Sequence, residues 1–322
     1  MSSSKSVTIP TFQQVQDAYL KIRNKVHRTP VLYSKKVNER AGGSLFLKCE
    51  NFQKIGAFKF RGGTHAIGNL SNEEAQKGVA THSSGNHAQA VALAAKLRGI
   101  PAHIVMPENA PKVKVNAVRD YGAEIIFCEP TQEARESTLE KVVKDTGAAV
   151  IHPYDNPDII MGQGSAAIEL LEDYPDLDIV LAPIGGGGLM SGTAIAASGL
   201  APKAHIIGVE PEVANDAYLS FQSGKLHPVQ STDTVADGLR VSLSELTFAC
   251  IQKHVDEIVT VTEEEIVDAM RFIWERMKII IEPSSAVPVA AVFNGKVDVK
   301  DKKAGIIITG GNMDFDRLPW QV

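Results

Sequence analysis

Between Lys77 and Tyr154 the sequence keeps changing its hydrophobic period. Short apolar runs, "GVATH", "AHIVMP", "AEIIFCE" and "AAVIHPY", alternate with helical stretches, "AQAVALAAKLRG", "PKVKVNAVRDYG" and "EARESTLEKVVKDTG". Gly99, Gly122 and Gly147 each follow a helical stretch, where a C-terminal cap wants positive φ, and Pro101 sits just beyond one of them. Such a βαβ alternation calls for a parallel sheet, because parallel neighbours need a crossover and the crossover helices cover the sheet. The pattern resumes with "IIMGQGSAAIELLEDY", "DIVLAPI", "LMSGTAIAASGL", "AHIIGVE" and, much later, "AGIIITGG". That is too many elements for one sheet, so two α/β lobes facing a cleft are expected. No Ser/Pro/Gly linker separates them, which implies lobes interleaved in sequence.

Composition narrows the partner. The 322 residues are 44% hydrophobic, enough for a large core, and the net charge of −5 is evenly mixed, with no basic stripe for nucleic acid and no basic amphipathic helix for a membrane. Cys49, Cys128 and Cys250 are far apart and form no CxxC pair, so neither a disulfide framework nor a thiolate zinc site is expected. The opening "MSSSKSVTIPTF" has no apolar core of a signal peptide, and no run reaches the ~18 apolar residues of a spanning helix. A cytosolic protein with a small-molecule partner is the expectation.

Three loops carry the chemistry. In "THSSGNHAQA" (81–90) an apolar run ends in two hydroxyls, a glycine, an amide and an imidazole, and an alanine-rich helix follows. A helix N-terminus presents unpaired N–H groups and partial positive charge, and small residues admit an anion close to that backbone. Capping by Ser83 or Asn86 accounts for one polar side chain. Ser83, Ser84, Asn86 and His87 together exceed what a cap needs. In "LAPIGGGGLMSG" a buried-type strand runs into Gly185, Gly186, Gly187 and Gly188. Four ordered glycines are entropically costly, and close approach of the backbone to a ligand, most simply a phosphate, explains them better than a flexible turn. No Gly-Lys-Ser/Thr follows and the GxGxxG spacing is absent. In "NFQKIGAFKFRGG" (51–63) Lys59 lies between Phe58 and Phe60. Apolar surroundings disfavour the ammonium form, and a neutral amine can form a Schiff base, although most lysines are solvated surface groups. Phosphate loop, carboxylate loop and such a lysine together point to pyridoxal phosphate and an amino-acid substrate.

The motifs "GAFKFRG", "SSGNHAQA", "GGGGL", "VADGL" and "TGGNMD", in this order and spread over nearly the whole chain, resemble the fold-type II pyridoxal-phosphate enzymes, which include serine and threonine dehydratases and serine racemases. The resemblance implies an α/β fold of two open, twisted, mostly parallel sheets covered by helices, as in tryptophan synthase beta-like enzymes. A small mobile lobe, residues 54–148, would be inserted in a large cofactor-binding lobe, residues 1–53 and 149–322. By the same resemblance Lys59 carries the cofactor, Phe58 flanks its ring, Asn86 bonds its phenolic oxygen, Gly185 to Gly188 cradle its phosphate beside Leu189, and Thr309 meets its ring nitrogen. A hydroxyl does not keep that nitrogen protonated as a carboxylate would, so proton transfer at the α-carbon must be quick and local. Ser83, Ser84, Gly85, Asn86 and His87 become the nest for the substrate carboxylate.

Racemisation needs acid/base groups on both faces of the α-carbon. Lys59 can serve one face, and the resemblance puts Ser84 on the other; dehydratases that only eliminate typically read "SAGNH" where this chain reads "SSGNH". The expected reaction is interconversion of L- and D-serine, with elimination of serine to pyruvate and ammonia. A dehydratase acting on L-serine, L-threonine or threo-3-hydroxyaspartate is the alternative, and a cofactor-binding regulatory protein without turnover is a second. Arg135 of "QEARES" could receive a second substrate carboxylate or be an exposed helix arginine. Glu210 and Asp216 of "GVEPEVANDAY" read from spacing as a solvated charge and a helix cap; the resemblance makes them, with the carbonyl of Ala214, ligands of a structural and activating divalent cation, magnesium or calcium. Lys54, Gln89, Lys114, Tyr121 and Lys278 resemble positions around a regulatory ATP site at a homodimer interface. Glu282 of "KIIIEPSSA" falls by resemblance near the cofactor face, while His82 and His152 read as ordinary polar residues.

Overall fold

The computed structural model describes residues 7–110 and 112–320. Strands β1 (Val31–Leu32) and β2 (Ser44–Cys49) begin one sheet. The chain then leaves it to build a second from β3 (Val79–His82), β4 (Ala102–Pro107), β5 (Glu124–Cys128) and β6 (Ala149–Val150). It returns with β7 (Ile179–Pro183), β8 (His205–Pro211), β9 (Glu257–Val261) and β10 (Lys303–Ile308). The sheet orders are β1-β2-β10-β7-β8-β9 and β5-β4-β3-β6, and every pairing is parallel except β1 with β2. The two interleaved parallel sheets expected from the alternation are therefore present.

Both faces of the six-stranded sheet are covered. Ile179 and Leu181 of β7, with Ile306 and Ile308 of β10, face the helices Glu263–Met277 and Pro283–Phe293. Val180, Ala182 and Ile307 between them face the helices Pro157–Asp173 and Gly188–Leu200. Period-two alternation with apolar residues on both sides is what a strand buried in a parallel sheet requires. Gly99, Gly122 and Gly147 end their helices with φ of 74°, 83° and 71°, the left-handed caps read from the sequence. No described helix is long and apolar enough to cross a membrane.

Small residues set the spacing of the helices. A Cβ on Gly192 would lie 2.4 Å from the carbonyl oxygen of Ile160 and 2.6 Å from the amide of Gly164, both backbone atoms of the neighbouring helix. Gly68, in the helix Lys59–Asn69, meets nothing within 4 Å. Gly192→Ala is therefore expected to cost about 1–3 kcal/mol through overpacking. Gly68→Ala should instead stabilise by about 0.5–1 kcal/mol through helix propensity. Denaturant midpoints moving in opposite directions for the two variants check both.

Candidate active site

The loops singled out in the sequence lie together at the carboxyl ends of strands, where parallel α/β sheets form their ligand crevices. After β3 the chain turns through Ser83–Gly85 into the helix Asn86–Arg98. The N-cap is Gly85, and no side chain caps the helix. The Ser83 hydroxyl accepts from the Gly85 amide at 3.3 Å instead, and the Ser84 hydroxyl has no partner among the described residues. Simple capping does not account for this turn, and the first N–H groups of a 13-residue helix stay free for an anion.

Asn86 is held at both ends. Its Nδ2 donates to Glu282 Oε1 and Oε2 at 3.0 and 3.1 Å, and its Oδ1 accepts from Asn312 Nδ2 at 2.8 Å. Burial raises the Glu282 carboxyl to about 7, with Asp237 adding to the shift and Asn86 opposing it. Thr309, just past β10, has its hydroxyl 2.8 Å from that of Ser285, which also accepts from the Gly310 amide at 2.8 Å. Asn312 and Ser285 were not assigned roles from the sequence. Asn312 lies inside the "TGGNMD" motif, which could have flagged it; a serine at a helix start gives no comparable signal.

The four glycines connect β7 to the helix Gly188–Leu200, and Gly187 adopts φ +81°. A Cβ on Gly186 would fall 2.2 Å from the Tyr154 ring, one on Gly188 2.9 Å from Tyr154 Cβ, one on Gly185 2.9 Å from Leu239 Cα and one on Gly187 2.7 Å from Leu243. A ligand is not the sole demand on these glycines. The protein's own side chains, Tyr154 foremost, already require them. Leu189 follows in the first turn of the helix and is buried.

Lys59 opens the helix Lys59–Asn69, with its Nζ 5.3 Å from the centre of the Phe58 ring and donating to the Pro153 carbonyl at 2.9 Å. Part of its surface lines the cleft, yet surrounding protein lowers the amine from 10.5 to about 8, against the pull of the Glu282 carboxylate. Behind it, on the opposite side of the same turn, Arg61 is fully buried. Its guanidinium donates to both oxygens of Glu50 at 2.7 and 2.8 Å and both of Glu169 at 2.9 and 2.7 Å. Lys48 completes the group at 2.7 Å from Glu169. Two cations and two anions cancel in a site without exposure, the arrangement that makes buried charge tolerable.

Two imidazoles, His87 and His152, stand within electrostatic reach of Lys59, and His82 within reach of both. Burial lowers His87 to about 3 and His152 to about 4, and also lowers His82, so all three are neutral at physiological pH. Arg135 lies within electrostatic reach of His82; its buried Nε has no partner, and it makes no ion pair among the described residues.

A family model for the pyridoxal-phosphate dependent enzymes matches residues 22–310. The chain belongs to the pyridoxal-phosphate dependent enzyme family. A beta-hydroxyaspartate dehydratase of Paracoccus denitrificans is 49% identical, covering 97% of this chain and 99% of that protein. A serine racemase of Dictyostelium discoideum is 46% identical, covering 96% of each. The solved structure of maize serine racemase superposes with a TM-score of 0.94 at 45% identity, covering 98% and 97%. The fold is thus that of fold-type II pyridoxal-phosphate enzymes, and this chain is an enzyme of their racemase and dehydratase branch. The site fits the cofactor: an amine with a depressed pKa, a 13-residue helix whose N-terminus no side chain caps and a buried hydroxyl pair at Thr309 offer a Schiff-base partner, an anion seat and a neutral hydrogen-bond partner.

Two further groups of sequence candidates lie outside this cleft. Glu210 and Asp216 are both buried. Glu210 accepts from the amides of Ala217 and Tyr218 at 3.1 and 2.9 Å; Asp216 Oδ2 accepts from the Leu243 amide at 3.1 Å, and its Oδ1 is buried without a partner. Burial, then Asp216, raises Glu210, and burial raises Asp216 to about 6. Neither the solvated charge nor the Asp216 cap suggested by spacing is present: Asp216 is the first residue of the helix Asp216–Ser223, and the buried Glu210 carboxylate takes the next two amides of that helix. Two buried carboxylates within electrostatic reach, one with an orphaned oxygen, suit a cation, although among the described residues no three acidic, histidine or cysteine side chains are grouped so as to hold a metal ion. Of the nucleotide candidates, Lys114 is ion-paired with Asp237 at 2.7 Å and Lys54 donates to the Lys25 carbonyl at 2.7 Å. Gln89 is buried, Tyr121 packs under the four-stranded sheet, and Lys278 ends the helix Glu263–Met277 at φ 59°.

The depressed lysine yields a prediction. In protein freed of cofactor, modification of Lys59 by an amine reagent should rise through about pH 8, whereas a free lysine side chain, with a pKa of about 10.4, reacts at higher pH. Mass spectrometry of the Lys59 peptide across pH measures this, and coincident profiles would contradict the site's electrostatics.

Proposed function

We propose that this enzyme interconverts L- and D-serine and, as a side reaction, eliminates water from serine to give pyruvate and ammonia. The observation that carries the reading is the uncapped "SSGNH" turn, with its free N–H groups and unpartnered Ser84 hydroxyl, in a cleft with the depressed amine of Lys59. Relatives named serine racemase support it. The cofactor, when bound, supplies the electron sink that makes the α-proton labile.

The protein's own groups do the rest. The turn from Ser83 to His87 binds the substrate carboxylate on backbone N–H groups and fixes the α-carbon. Lys59 Nζ takes or returns a proton on one face and Ser84 Oγ on the other, so removal by one and delivery by the other inverts the centre. Loss of the protonated β-hydroxyl as water leaves an enamine that hydrolyses to pyruvate and ammonia. Thr309, hydrogen-bonded to Ser285, would offer a hydroxyl to the cofactor's ring nitrogen, and Asn86, braced by Glu282 and Asn312, would hold its phenolic oxygen. Neutral imidazoles keep competing charge out of the cleft.

A second reading rests on Arg135. A partly buried guanidinium without an ion pair favours an anionic ligand, so a hydroxy amino acid with a second carboxylate, such as threo-3-hydroxyaspartate, is the competing substrate. The dehydratase relative of Paracoccus denitrificans supports it.

Purified protein incubated with L-serine, while D-serine and pyruvate are followed together, tests the first reading. Lys59→Ala should abolish both products. Ser84→Ala should lower D-serine formation by about 100-fold or more and leave pyruvate formation measurable. Undiminished D-serine from Ser84→Ala would remove it as the second acid/base group. Arg135→Gln should reduce kcat/KM about tenfold or more for threo-3-hydroxyaspartate and much less for L-serine.

We also propose that Glu210, Asp216 and the Ala214 carbonyl bind a structural divalent cation. The cation must displace a proton from a carboxyl raised to about 6, so stabilisation by magnesium or calcium should grow as pH rises through that value. Thermal midpoints with added metal or chelator at pH 5 and 8 read this out, and Asp216→Asn should erase the difference.

A further inference from the structure

The chain leaves the four-stranded sheet for the six-stranded one through Ile151–Asn156, between β6 and the helix Pro157–Asp173. Ile151 is still tied to the four-stranded sheet, its amide donating to the Ala80 carbonyl at 2.9 Å. Its carbonyl accepts from His87 Nε2 at 2.8 Å, and since a carbonyl can only accept, Nε2 carries the proton. Two residues on, the Pro153 carbonyl accepts from Lys59 Nζ at 2.9 Å. Tyr154 then lays its ring on the glycine loop, 2.2 Å from where a Cβ of Gly186 would stand. His152 stiffens the span: its Nδ1 accepts from the amides of Tyr154 and Asp155 at 3.4 and 2.9 Å, and its ring meets that of Tyr154 edge-on at 4.7 Å. Asn156 closes it by capping the following helix at the Asp158 amide, 2.8 Å away.

Four consecutive residues, 151–154, thus touch the carboxylate turn, the lysine and the phosphate loop in succession. We propose that this crossover is a positioning strap, in which Tyr154 and His87 set the Pro153 carbonyl and with it Lys59, so that the phosphate loop and the lysine are seated as one unit. The proposal rests on reading Lys59 and the glycine loop as the cofactor's contacts. Neither residue need touch the reacting atoms. Tyr154 acts through its ring, packed on Gly186 and Gly188, and His87 acts through the one N–H it gives to Ile151.

The strap differs from a mere wall of the phosphate loop in one respect. A wall matters only to a ligand that bears a phosphate, whereas a strap matters to any aldehyde that must reach Lys59. Full-length protein prepared without cofactor is titrated with pyridoxal phosphate and, separately, with phosphate-free pyridoxal, the visible absorbance of the bound aldehyde being read. Tyr154→Ala is expected to weaken both about tenfold, and Tyr154→Phe, which keeps the ring, neither. His87→Leu should behave as Tyr154→Ala. His87→Gln, whose amide reaches where Nε2 stood, should restore binding. The histidine pair keeps the test decisive should Tyr154→Ala fail to fold. Loss confined to pyridoxal phosphate, or unchanged binding of both aldehydes in Tyr154→Ala and His87→Leu, overturns the strap. Failure of the wild-type protein to bind either aldehyde overturns instead the reading on which it rests.

Discussion

The buried guanidinium of Arg61 is the interaction on which the site depends. It joins Glu50, at the end of β2, to Glu169 of the helix Pro157–Asp173, and Lys48 balances the second carboxylate. These residues come from both ends of the excursion that builds the second sheet, so one charge-neutral knot fixes where the chain departs and where it returns. Buried ion pairs seldom outdo apolar packing in net stability, but removing one partner leaves an uncompensated charge costing about 3–5 kcal/mol. The knot therefore permits one arrangement and penalises the others. Lys59 is two residues from Arg61 on the same helical turn, so its direction into the cleft is set from behind.

With the lysine fixed, burial moves the titratable groups of the site toward their uncharged forms. Low polarity around Lys59 depresses its ammonium and holds the histidines neutral, and the carboxylate that faces Asn86 is itself raised to about 7. Each shift has the same first cause, removal from water, and each favours the uncharged form. Under the proposed reaction such a site would move protons over short distances, in keeping with a hydroxyl rather than a carboxylate at Thr309.

The alternation of periods made two interleaved parallel sheets legible, and left-handed glycine caps marked the helix ends. Strands β1, β2 and β9 were not read. β1 has two residues, and β2 carries Lys48, whose ion-pair partner Glu169 lies 121 positions away in sequence. Such compensation is invisible to any local pattern. In the site, Lys59, the polar turn and the glycine loop were legible because their local chemistry is unusual. Tyr154 was not, since a tyrosine after "IHP" becomes meaningful only when the crossover lays it on Gly186. The reason for the glycines was correspondingly half read: a ligand was inferred, and the ring was missed.

Strand order carries a consequence for synthesis. β10 lies between β2 and β7, so the six-stranded sheet has a gap at its middle until Lys303–Ile308 emerges, whereas the four-stranded sheet has all its strands by Val150. From the completion of β7 at Pro183 until Lys303 is made, β2 and β7 each present an open, hydrogen-bonding edge, the kind of surface that recruits wrong neighbours. The nascent chain thus acquires half of its architecture early and holds the other half unfinished, a window in which chaperones have the most to protect.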